Sequence, residues 1–138
     1  MYGLVSHVVF ALRGLTAGSV TATTEMRTLM LRTLDSVVRM FPAIPLQTYV
    51  DDMFQFMAAP LKVMIQKEYG FAAAVRALMH GLEDLDLQIS TTKSVGIAST
   101  KQLCRVLEDQ LEPEGMTFTN STKSLGVDVM AGTRRCTK

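Results

Sequence analysis

Two adjacent carboxylates, Asp51 and Asp52, stand between two runs that alternate as strands do. Before them Leu46, Thr48 and Val50 alternate with Gln47 and Tyr49, and after them Phe54 and Phe56 alternate around Gln55, the period of two expected of half-buried strands. Successive side chains on a strand point to opposite faces, so neighbouring aspartates approach one site only where the backbone turns. The spacing therefore predicts a hairpin with clustered negative charge at its tip. Such a tip suits a hard divalent cation, magnesium or manganese, held by carboxylate oxygens with water or phosphate oxygens completing the shell. An ordinary Asp-Asp turn is the competing reading, because aspartate is a common turn residue in any hairpin. A second stretch of interest is Arg13-Gly14-Leu15-Thr16-Ala17-Gly18-Ser19. Its glycines let a ligand approach the main chain closely, and Ser19, Thr21, Thr23 or Thr24 could cap a helix behind it.

The elements that would position these residues follow from pattern. With 138 residues, 48% of them hydrophobic, the chain has enough apolar surface for one domain with a core and is too short for two ordinary ones. Charged residues make up 20% and the net charge is +1, so no strong overall field draws it to nucleic acid or membrane, and any basic groove is local. Cys104 and Cys136 lack CxxC spacing, which fits a reducing compartment and no zinc site. No basic leader or membrane-length apolar run is visible, so the expectation is an intracellular protein without a signal peptide or transmembrane segment.

In chain order, Leu4 to Leu12 reads as an entering strand. Met26, Met30, Leu34, Val37 and Phe41 form one apolar stripe, predicting a helix over about Thr21 to Met40 stopped by Pro42 and Pro45. After the acidic hairpin, Pro60 opens a second helical repeat through Leu82, weakened by Gly70, with His80 as a surface or cap residue. Leu85, Leu87 and Ile89 then alternate as a strand that delivers Lys93 at its end. A strand over Val95 to Ala98, a helix near Thr100 to Leu111 closed by Pro113 and Gly115, and final strands at Phe118 and Leu125 to Val129 complete the pattern. The basic tail ending at Lys138 should fray. The sum is a single α+β unit over residues 1–138, a mostly antiparallel sheet with helices packed on one face.

The order of these pieces resembles the palm of a reverse transcriptase, an RNA-directed DNA polymerase, most closely in the layout of non-LTR (LINE-type) retrotransposon and group II intron enzymes. The loop from Arg13 to Ser19 with its helix corresponds to that family's motif B, Tyr49-Val50-Asp51-Asp52 to motif C, Leu82 to Lys93 to motif D, and Leu125-Gly126 to motif E. The resemblance covers nearly the whole chain. It implies that Asp51 is the main magnesium ligand, that Asp52 is the supporting carboxylate and that Tyr49 packs under the primer end. It further implies that Gly14, Gly18 and Ser19 let backbone approach template and nucleotide, and that Arg13 is available for phosphate. Lys93 would give a proton or charge to the departing pyrophosphate. The implied partners are an RNA template, a DNA primer and a dNTP, and the implied chemistry is phosphoryl transfer at two metal ions.

Several positions depart from the family pattern. Thr16-Ala17 and Val20 stand where motif B carries Pro-Gln and a later proline, and Ala17 cannot make the hydrogen bonds of a glutamine. Residues 1–12 contain no acid, so no motif A aspartate lies there; fingers and thumb have no counterpart either. The expectation is therefore a fragment, the C-terminal part of a palm carrying motifs B to E, which needs missing upstream and downstream polymerase segments and is inactive alone. Two alternatives remain open: a non-catalytic relic or interaction module with a palm-like fold, and a small α+β interaction domain with a fortuitous acidic turn.

Overall fold

The apolar stripe ending at Phe41 forms helix α1 (Ala22–Met40), in which Met30 and Val37 are buried. It stops at Phe41 (φ −126°, ψ 63°), outside the helical region that the ring of Pro42 disfavours for the residue before it. The computed structural model of the chain describes residues 20–49, 52–124 and 127–130. The expected entering strand, the loop bearing Arg13, Gly14, Gly18 and Ser19, the connection Val50-Asp51, the Leu125-Gly126 pair and the basic tail lie outside the described residues.

Strands β1 (Leu46–Tyr49) and β2 (Asp52–Gln55) pair antiparallel, with Leu46 opposite Gln55 and Tyr49 opposite Asp52. Pro60 then opens a single helical turn, α2 (Leu61–Met64). The continuous helix read from Pro60 to Leu82 does not form; the chain breaks at residues 65–70 and resumes as α3 (Phe71–Glu83). Gly70 is where it breaks, because it caps α3 in an extended conformation and its amide reaches back to the Gln66 carbonyl at 3.0 Å. Helix α3 is buried on two sides. Ala72, Val75 and Met79 belong to one apolar cluster, and Ala74, Leu78 and Leu82 to another shared with Met30, Val37, Phe41 and Ile44. Gly81 lies inside α3 at the crossing with α1. A Cβ there would stand 2.5 Å from Thr33 Cγ2, and the Thr33 hydroxyl donates to the Gly81 carbonyl at 3.2 Å.

The expected strand through Leu85, Leu87 and Ile89 is also absent as a paired element. Asp86 takes the left-handed conformation (φ 61°), and the amides of Leu85 and Leu87 both return to the Leu82 carbonyl at 3.0 Å, so the segment is tied to the end of α3. The alternation itself is real: Leu85, Leu87 and Ile89 are half-buried while Asp86 and Gln88 are exposed. It packs an extended segment without building a ladder.

Strand β3 (Val95–Ile97) runs parallel to β4 (Thr117–Thr119), and α4 (Lys101–Gln110) makes the crossover between them. Leu103, Cys104, Leu107 and Leu111 bring that helix against α3 and Phe118. Thr100 caps it, its hydroxyl accepting from the Leu103 amide at 3.2 Å. Thr100→Ala should lower stability by about 1 kcal/mol, the usual worth of such a cap; an unchanged urea midpoint would show the cap to be idle. Strands β5 (Ser121–Ser124) and β6 (Val127–Met130) close the described chain as an antiparallel pair. The architecture is α+β, with the described strands divided among three two-stranded sheets.

Candidate functional site

The β1–β2 hairpin is the element on which the candidate chemistry converges. Its register makes Tyr49 and Asp52 the last paired residues before the turn, and the two residues between them in sequence are Val50 and Asp51. Asp52 is exposed, and Tyr49 is 62% exposed. No ion pair engages the Asp52 carboxylate among the described residues, so its oxygens are open to a cation from solvent. Asp51 itself lies outside the described residues.

The two faces of the hairpin differ. Directly opposite residues share a face, so Gln47, Tyr49, Asp52 and Phe54 lie on one side, and Phe54 and Phe56 are exposed at 37% and 49%. The other side carries Leu46 and Met53, which pack with Met57 against the α1–α3 cluster. The alternation of Phe54 and Phe56 around Gln55 is thus present, but it is Gln55 that faces in. Its Nε2 donates to the Ala74 carbonyl of α3 at 3.3 Å, and Ala74 is wholly buried. Apolar packing and this one polar bond together hold the hairpin to α3. Sequence reasoning did not find Gln55; its only signal is a polar residue set inside an apolar strand.

Lys93 is exposed and sits in a turn ahead of β3, rather than at the end of a preceding strand. Its amide donates to the Ser90 carbonyl at 3.1 Å, and the amide and hydroxyl of Ser94 reach the same oxygen at 3.0 and 2.9 Å. Short hydroxyl side chains compete with strand pairing through such local bonds, which accounts for the turn. No hydrogen bond or ion pair joins Lys93 to Asp52. His80 is exposed in the last turn of α3, and Cys104 is a buried free thiol. Among the described residues no group of three or more His, Cys, Asp or Glu side chains is arranged to hold a metal ion. No described helix is long and apolar enough to cross a membrane.

Comparison with protein-family models, with curated proteins and with solved structures gives no match to this chain.

Proposed function

We propose that the chain is a portion of a reverse transcriptase palm, the part that carries the acidic hairpin, and that it serves magnesium-dependent nucleotidyl transfer within a longer polymerase polypeptide. The observation that supports this most is the antiparallel β1–β2 ladder with Tyr49 opposite Asp52 at its end. It makes residues 46–49 and 52–55 paired strands tied to a helical core rather than parts of one helix. In that reading Asp51 and Asp52 supply carboxylate oxygens to magnesium or manganese, and the ion supplies Lewis-acid stabilisation of phosphate charge. The exposed rings of Tyr49, Phe54 and Phe56 offer stacking surface beside it to a primer or template base. Lys93, exposed on its turn, would meet the departing pyrophosphate only in the assembled enzyme. Arg13, Gly14, Gly18 and Ser19 keep the template and nucleotide roles implied by the resemblance. The single-domain assignment and the inactivity of the isolated chain belong to the same proposal.

A second reading is a non-catalytic module that keeps the palm-like fold. It is favoured by the lack of a three-group metal cluster among the described residues. Calorimetric titration with manganese separates the two. Binding by the unmodified chain should weaken more in Asp51→Asn than in Asp52→Asn, since the resemblance makes Asp51 the principal ligand. Equal losses would remove that ranking, and no saturable binding by the unmodified chain would favour the non-catalytic module.

A further inference from the structure

We draw no further inference here: the strongest candidate, the exposed apolar patch of Leu29, Leu31, Val38 and Met40 that flanks the buried stripe of α1, is an unpartnered helix face, and nothing in the structure shows what covers it.

Discussion

Incubated with an RNA template, a DNA primer, dNTPs and magnesium, the 138-residue chain should give no template-directed extension. Two metal ions about 4 Å apart require bridging carboxylates from more than one segment, and the described acids outside the hairpin form no such group. Glu83, Asp84 and Asp86 fall at the end of α3 and just beyond it, and Asp35 is on the exposed side of α1. Among the described residues no three metal-binding side chains come together. Loss of one preorganised electrostatic group in an active site costs about 4 kcal/mol, or on the order of a thousandfold in rate, enough to take extension below detection. Fusion of an upstream segment carrying fingers and an acid-bearing motif A strand should restore extension, and Asp51→Asn in the fusion should abolish it. Extension by the bare chain, lost on Asp51→Asn, would show that the hairpin acids suffice. A folded fusion that still fails to extend would count against the polymerase reading itself.

Gly70→Ala should be strongly destabilising, and the reason is space rather than backbone angle. Gly70 has φ −82° and ψ −177°, which any residue can adopt. A Cβ there, however, would stand 2.3 Å from the Gln66 carbonyl oxygen, 2.5 Å from that of Met64 and 2.8 Å from the Gln66 nitrogen. All three are main-chain atoms, so no side chain can turn aside, and the corner between α2 and α3 must open. Opening it shifts the start of α3, which is packed into both apolar clusters through Ala72 and Ala74. A loss of about 3 kcal/mol is expected, the upper end for overpacking, which is a fall of about 10 °C in Tm for a chain of this length. Thermal unfolding followed by circular dichroism reads it directly. A fall of less than about 2 °C would mean that the corner relaxes at little cost. Because Gln55 is bonded to Ala74, the same variant should also loosen the hairpin.

Part of this molecule is written in local sequence. Helix α1 ends where Phe41 meets Pro42, α4 begins at the Thr100 cap, and the β1–β2 hairpin follows from alternation on either side of two acids. Each of these depends on residues within a few positions of one another, so each is legible without knowing what lies across the fold. The same holds for the α+β class and for the stripe of Met30 and Val37 that becomes core. What periodicity did not disclose was decided by close packing and by hydrogen bonds, some within a few residues and others between segments distant in sequence. Gly70 stands where one apparent helix becomes two, extended at the start of α3 and so close to the Met64 and Gln66 main chain that a Cβ would clash. Leu85, Leu87 and Ile89 alternate in burial yet pair with no described strand, since the amides of Leu85 and Leu87 are drawn back to Leu82. Pairing register sends Phe54 out and turns Gln55 in toward a carbonyl of α3, although alternation alone treats the two faces as equivalent. The parallel pairing of β3 with β4 across α4 likewise arises only when segments meet. Burial and hydrogen-bond satisfaction are properties of the assembled chain, and they alone choose among the partners that a local pattern leaves open.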